Sequence, residues 1–280
     1  NQLINVENNE IIRLIEKQKE NGVLAITDGE YRRSWWHFDF LGGLDGIEYY
    51  EKDKGLDFHQ METRKEGIRV VGKIGFTTHP FVQHFEFLKQ HAGEAVVKQT
   101  IPSPNMLIRR VDMNEEVYQD KDEFNQDIIV AYQKAIQAFY DAGCRYLQLD
   151  DTAWADLFSE EGHNKLRAKG LDPAEELKLM QYVINESIAK KPEDLVVTMH
   201  ICRGNYKSNY FTSGGYDFAS EAIFGGLNVN GLFLEFDDER SGSFEPLKYV
   251  NRKDLKIVLG LVTTKTGTLE DKEKIKARIQ

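Results

Sequence analysis

The residues best suited to chemistry in this sequence are a histidine and a cysteine two positions apart. The segment 198–205, which contains His200 and Cys202, directly follows the apolar run 195–197. Side chains alternate along a strand, so both would project from the same face at one strand end. Imidazole nitrogen and thiolate sulfur are ligands that zinc prefers. The pair indicates a zinc site, although a buried strand with a hydrogen-bonded histidine and a small apolar cysteine would show the same pattern.

A carboxylate closes the next predicted strand. Glu235 follows the apolar run 232–234, one βα unit after the strand that carries the histidine and the cysteine. In a βα barrel it would be their spatial neighbour and could supply a third zinc ligand. The alternative is a solvated acidic loop over 235–239 that surrounds Arg240.

Three more charged residues follow predicted strands: Glu30, Asp150 and Lys265. Converging carboxylates suit an ammonium-bearing ligand such as an amino acid, or a general acid and base pair. For Glu30 the alternative is an ion pair with Arg32 or Arg33. Lys265 would place a cation or a proton donor over the same face, and its alternative is an ordinary surface lysine.

Short apolar strands alternate with segments of helical period, a pattern typical of a parallel sheet built from βα units. The predicted strands are 23–27, 95–101, 146–149, 196–199, 232–234 and 257–262. Amphipathic spacing predicts helices over 125–142 and 174–189. Aromatic and β-branched residues over 46–50 and 68–76 predict a β-hairpin insertion after the first of these strands.

Polar residues at the carboxyl ends of successive strands favour an α/β fold of the (β/α)8 TIM barrel type, whose active site is built by the βα loops. Six strands are two short of closure, so we expect one strand before Asn1 and one after Gln280. An open doubly wound sheet is the alternative, but no Gly-x-Gly-x-x-Gly loop follows any strand. Since no linker-like run divides the sequence, a single barrel domain over 1–280 is expected.

Composition restricts the class of partner. The 280 residues carry a formal net charge of -10, which would repel nucleic acid or an anionic membrane surface. A small-molecule ligand is therefore expected. Two cysteines, Cys144 and Cys202, and the absence of a secretory leader or a long apolar span indicate a reducing cytoplasm. Cys144 lies at a helix-to-strand junction, so we expect it to be structural.

Four motifs taken together are specific: TDGEYRRSWWH at 27–37, YLQLDD at 146–151, MHICRGN at 199–205 and FLEFD at 233–237. With them the chain resembles the catalytic, carboxyl-terminal half of cobalamin-independent methionine synthase, and more closely the single-domain bacterial proteins similar to it. The resemblance extends over essentially all 280 positions.

The resemblance implies a (β/α)8 barrel whose zinc activates homocysteine for methylation by 5-methyltetrahydrofolate or its polyglutamate, which yields methionine. Carried onto this sequence, it implies the following residues: for zinc, His200, Cys202 and Glu235; for the amino-acid substrate, Glu30 and Asp150; and near the folate, Asp156 and Arg69. A metal-bound thiol is deprotonated near neutral pH, and the thiolate is the nucleophile that methyl transfer needs.

The sequence departs from the family pattern in several places. The family's fourth zinc ligand, a cysteine, is expected beyond Gln280, and its homocysteine-binding Gly-Ser turn before Asn1. The family's proton-donating histidine aligns with Lys265. The tryptophan beside the folate is missing after Ile101, and the amino-terminal half that helps bind polyglutamate is absent. These departures leave the methyl donor open between a methylfolate and another carrier, such as a methylcorrinoid.

Two further classes of function stay open on the residues alone. A barrel hydrolase or lyase would use Glu30, Asp150 and Glu235 as acid and base without a metal. A non-catalytic barrel that binds zinc or a thiol would need no proton donor, in keeping with the lysine at position 265.

Overall fold

The computed structural model describes residues 2–58 and 61–280. Contacts divide the chain into two compact units. Unit 1 comprises Asn1–Glu51, Glu66–Asp150 and Val183–Thr198, and unit 2 comprises Lys52–Lys65, Asp151–Tyr182 and Met199–Gln280. The expected single barrel domain over 1–280 stays a prediction.

The described residues form helices and strands in alternation. The strands are β1 (Ala25–Ile26), β2 (Asp45–Glu51), β3 (Asp57–Phe58), β4 (Met61–Glu62), β5 (Glu66–Gly75), β6 (Val96–Pro102), β7 (Val111–Asp112), β8 (Tyr146–Asp151), β9 (Val196–Ile201), β10 (Gly231–Phe233) and β11 (Lys256–Val258). The α-helices are α1 (Gln2–Glu20), α2 (Phe38–Leu41), α3 (Pro80–Ala92), α4 (Pro104–Arg110), α5 (Lys121–Asp141), α6 (Glu160–Ala168), α7 (Pro173–Ile188) and α8 (Lys272–Ile279).

In unit 1 the strands β1, β6, β8 and the start of β9 lie side by side in chain order. β1 pairs with β6 in parallel, and β6 pairs with β8 in parallel with Thr100 opposite Gln148. Alternate residues of β6 and β8 are buried. Because successive side chains point to opposite faces, Thr100, Gln148 and Asp150 share the other, half-buried face. These elements confirm the first four predicted strands.

In unit 2 the end of β9 is followed by β10 and β11. β10 pairs with β11 in parallel, and the ladder continues past β10, since the N–H of Phe236 donates to the carbonyl of Gly260 at 3.0 Å. This extension carries Glu235 beyond the strand. β11 ends earlier than the predicted 257–262 because Gly260 adopts a left-handed φ of 66°, a conformation that extended strands do not use.

The predicted hairpin insertion is not confirmed as a separate hairpin. β2 and β5 do pair antiparallel, but β5 also pairs in parallel with β7, with Arg69 opposite Asp112. The result is a three-stranded mixed sheet within unit 1. The pairing with β7 joins segments that lie far apart in the sequence, so the local pattern gave no indication of it.

The predicted helices are confirmed as α5 and α7, with boundaries within a few residues of the expected ones. α5 begins after Asp120, whose side chain accepts the N–H of Asp122 and so satisfies a backbone donor of the first turn. Nine buried side chains along α5 form its core-facing stripe. Within the part of the chain that the structure describes, no helix combines the length and the apolar composition needed to cross a membrane.

Candidate functional site

The predicted zinc ligands lie at or just beyond the ends of the consecutive strands β9 and β10, within unit 2. His200 is the penultimate residue of β9, and its Nδ1 lies 3.1 Å from the carbonyl oxygen of Phe233. Cys202 directly follows β9. The next backbone N–H, that of Arg203, donates to Oε2 of Glu235 at 2.6 Å. The Glu235 carboxylate is therefore bonded to the residue adjacent to Cys202.

Arg203 links these strand ends, a role that nothing in the local sequence pattern indicates. Its side chain is fully buried. The guanidinium donates to three carbonyl oxygens, those of Gly214 (2.6 Å), Glu235 (2.9 Å) and Ser241 (3.1 Å). It also lies 4.3 Å from the ring centroid of Tyr216. A guanidinium presents five donors in a rigid fork, so one side chain can fix several loops at once.

The Tyr216 hydroxyl bridges the same two strand ends. It donates to the carbonyl of Ile201 at 2.9 Å and accepts the N–H of Glu235 at 2.9 Å. The side chain is fully buried, and burial raises the pKa of the phenol to about 12. The hydroxyl is therefore neutral, and its hydrogen bonds link the backbone of Ile201 to the backbone of Glu235.

Glu235 belongs to a buried cluster of charges with Asp237, Arg240 and Lys265. Its Oε1 accepts from Lys265 Nζ at 2.7 Å and from Arg240 Nη2 at 2.7 Å. Asp237 accepts from Lys265 at 3.0 Å and from Arg240 at 3.2 Å. The side chains of Glu235 and Lys265 are only 9% and 12% exposed. Neither a solvated acidic loop nor a surface lysine describes them.

The cluster keeps its members ionised. Burial alone would raise the pKa of Glu235, but hydrogen bonds from Lys265 and Arg240 outweigh it and hold that pKa below its ordinary value. Burial alone would lower the pKa of Lys265, but Glu235 and Asp237 raise it above its usual range. The two carboxylates and two cations offset one another near neutral pH, and Asp238 adds a third carboxylate 3.5 Å from Arg240.

The donor types at these strand ends fit zinc, which accepts imidazole nitrogen, thiolate sulfur and carboxylate oxygen. A histidine that binds a metal is commonly oriented by a backbone carbonyl next to its other ring nitrogen. The Nδ1 of His200 has such a carbonyl beside it. Cys202 Sγ accepts the N–H of Gly204 at 3.4 Å. Across residues 2–58 and 61–280, however, no three His, Cys, Asp or Glu side chains are placed to hold a metal ion. Glu235 can join such a set only by sharing its oxygens with Lys265 and Arg240.

The predicted amino-acid-binding carboxylates lie in unit 1. Oε1 of Glu30 accepts from Arg33 at 2.8 Å and from Thr100 at 2.7 Å. The ion pair with Arg33, weighed from the sequence as an alternative, is therefore present. Burial raises the pKa of Glu30, as does the negative charge of Asp150, while Arg33 and Thr100 oppose them. Asp150 itself accepts from Gln148 at 2.6 Å.

The two residues that the resemblance places near folate lie in different units. Arg69, in unit 1, donates to Glu48 from Nε and Nη2 at 2.9 and 2.7 Å. It lines an open cavity of about 550 Å³ together with Tyr50 and Asp112. Asp156, in unit 2, lies on a 3-10 turn, Ala153–Leu157, and its side chain is half-buried.

The family model described as "Cobalamin-independent synthase, Catalytic domain" matches residues 1–280, the whole chain. The chain belongs to the cobalamin-independent methionine synthase family. The family is one of methionine synthase-like methyltransferases, and the parallel α/β sheet agrees with its fold. Closure into an eight-stranded barrel stays a prediction.

Relatives within this family are similar over most of their length. The uncharacterized protein YxjG of Bacillus subtilis is 55% identical over 280 residues, which are 100% of this chain and 74% of that protein. The crystal structure of a proposed vitamin-B12-independent methionine synthase from Listeria monocytogenes has a TM-score of 0.79 at 50% identity. The match covers 98% of this chain and 74% of the Listeria chain. A B12-independent methionine synthase from Shewanella, in complex with selenomethionine, has a TM-score of 0.74 at 17% identity. The match covers 99% of this chain and 76% of the Shewanella chain, and at this identity it is evidence for the fold alone.

We predict that Tyr216→Phe weakens the link between β9 and β10. The substitution leaves the buried N–H of Glu235 without its acceptor, so the free energy of unfolding should fall by roughly 1–3 kcal/mol, as measured by urea denaturation. Tyr206→Phe is the control, since the Tyr206 hydroxyl makes no hydrogen bond within the described ranges, and it should change the value by less than about 0.5 kcal/mol. Equal effects of both variants would contradict the bridging role.

Proposed function

We propose that this protein is a zinc-dependent methyltransferase that transfers a methyl group from 5-methyltetrahydrofolate or its polyglutamate to the thiol of homocysteine and so forms methionine. The observation that carries the proposal is the bond from the Arg203 N–H to Glu235, which joins the carboxylate to the residue after Cys202. Membership of the methionine synthase family over the whole chain supports the reaction type.

In this proposal His200, Cys202 and Glu235 hold the zinc ion. When bound, zinc lowers the pKa of a substrate thiol, so that the thiol can be deprotonated near neutral pH. Arg203 and Tyr216 hold the two strand ends that carry these ligands. Glu30 and Asp150 are proposed to hold the ammonium group of the amino acid, and Asp156 and Arg69 to contribute to binding the folate.

Lys265 is the proposed catalytic residue, and its surroundings bear on the choice of methyl donor. A folate leaving group must be protonated at nitrogen, whereas a corrinoid leaving group need not be. The pKa of Lys265 is raised by its bonds to Glu235 and Asp237, and an acid with a pKa far above the working pH transfers its proton poorly. This observation favours a second candidate, in which the donor is a methylcorrinoid and Lys265 acts only through its charge.

A single-turnover assay distinguishes these functions. The full chain loaded with zinc is mixed with homocysteine and either 5-methyltetrahydrofolate or methylcobalamin, and methionine is quantified by mass spectrometry. The first candidate predicts transfer from the folate, and the second predicts transfer from the corrinoid alone. Zinc binding without transfer from either donor would instead support the non-catalytic barrel.

Metal analysis tests the proposed ligands directly. We expect the full chain to retain about one zinc per molecule, and His200→Ala and Cys202→Ala to lose most of it, as measured by plasma mass spectrometry after gel filtration. Cys144→Ala is the matched control, because that thiol is buried in unit 1, where burial raises its pKa to about 11. Undiminished zinc in both ligand variants would remove the proposed site.

Lys265→Met tests whether Glu235 is a ligand. The substitution removes a positive charge that lies 2.7 Å from Oε1 of Glu235, so zinc affinity in a chelator competition should rise at least about tenfold. Lys248→Met, at an exposed lysine of unit 2, should leave the affinity unchanged. An unchanged affinity in Lys265→Met would mean that the metal does not bind at Glu235.

A further inference from the structure

The hydrogen bonds to the Glu30 carboxylate all end on one of its two oxygens. Oε1 accepts both hydrogen bonds, from Arg33 Nη1 and from Thr100 Oγ1. In the ranges 2–58 and 61–280, no donor lies within hydrogen-bond distance of Oε2. The side chain is 34% exposed. One oxygen is thus fixed, while the other keeps its acceptor capacity for a ligand.

The Arg33 side chain is held in place by burial, by an aromatic ring and by hydrogen bonds. Its side chain is 4% exposed, and its guanidinium lies 4.5 Å from the ring centroid of Phe81. Nη2 donates to the carbonyl oxygen of Thr100 at 2.6 Å and to its hydroxyl at 3.0 Å. Buried, stacked and bonded in this way, the guanidinium has little freedom to move.

The chemistry of arginine fixes the direction of the hydrogen bonds. A guanidinium has donors and no acceptor, so the Thr100 oxygen must accept from Arg33. The single proton of that hydroxyl is then left for Glu30, at 2.7 Å. Both bonds to Oε1 therefore favour the ionised carboxylate.

The backbone of Glu30 is also constrained. Its φ of 59° lies in the left-handed region, which residues other than glycine rarely adopt. The N–H of Glu30 donates to Oδ1 of Asp28 at 2.9 Å, and its carbonyl accepts the N–H of Arg33 at 2.9 Å. Strained residues of this kind persist only when their surroundings hold them, and they concentrate at functional sites.

We infer that Arg33 and Thr100 are positioning residues that hold the Glu30 carboxylate so that Oε2 receives the ammonium group of the amino-acid substrate. This inference rests on the proposed function. Thr100 and Arg33 do not touch the substrate in this view. They set the orientation and the charge of the group that does.

Four groups act on the ionisation of Glu30. Burial raises its pKa, Arg33 and Thr100 lower it, and the charges of Asp150 and Asp28 raise it. An ammonium group binds the ionised form, so binding weakens as the pH falls through this pKa. Removing the Thr100 donor raises the pKa further, so the loss of binding should begin at a higher pH.

The test measures binding of L-homocysteine to the zinc-loaded full chain by isothermal titration calorimetry between pH 5 and 8. Thr100→Val keeps the shape of the side chain and removes the donor, so we expect roughly tenfold weaker binding or more and a pH midpoint shifted upward. Thr100→Ser keeps the donor, so its affinity for homocysteine and its pH midpoint should match those of the wild-type protein. Arg33→Lys, which keeps the charge but loses the fork, should also weaken binding.

A double-mutant comparison separates positioning from a general structural effect. In a Glu30→Gln background, Thr100→Val should cause no further loss, because its partner is already neutral. The inference would be overturned if Thr100→Val bound homocysteine as tightly as the wild-type protein does. It would also be overturned if Thr100→Val caused an equal loss of affinity in the wild-type and Glu30→Gln backgrounds. Failure of the wild-type protein to bind homocysteine would instead overturn the proposed function.

Discussion

The buried carboxylate of Glu235 is the group on which the end of the sheet in unit 2 depends. Removing a carboxylate from water is costly unless hydrogen bonds and opposite charges replace the lost solvent. Glu235 has both: the N–H of Arg203, the ammonium of Lys265 and the guanidinium of Arg240. The same contacts that make its burial possible also neutralise its charge. Any role in binding a cation is therefore set by how Lys265 and Arg240 share it.

Glu30, in unit 1, has a different environment and so a different capacity. Its hydrogen bonds converge on Oε1 and come from Arg33 and Thr100, whereas Glu235 accepts bonds on both oxygens. Burial dominates the pKa of Glu30 and raises it, while the hydrogen bonds at Glu235 outweigh burial and lower its pKa. Two carboxylates with such different surroundings can serve different functions in one protein.

The sequence predicted what depends on local pattern and missed what depends on distant partners. The six strands were found because apolar runs bounded by polar residues mark buried parallel strands. The pairing of β5 with β7 and the bonds of Lys265 to Glu235 were not, since each joins segments about 30 or more residues apart. Thr100 was missed for another reason: a threonine in a strand is ordinary, and only the proximity of Arg33 gives it a role.

The termination of parallel ladders explains why the candidate residues lie where they do. Inside a strand the backbone N–H and C=O groups are paired with neighbouring strands, but just beyond its end they need other partners. Past β9 and β10 the protein supplies those partners with side chains: Tyr216 binds the carbonyl of Ile201 and the N–H of Glu235, and Glu235 binds the N–H of Arg203. Polar side chains are thus required at these ends before any ligand is considered. A site built there uses groups that the fold already holds in place.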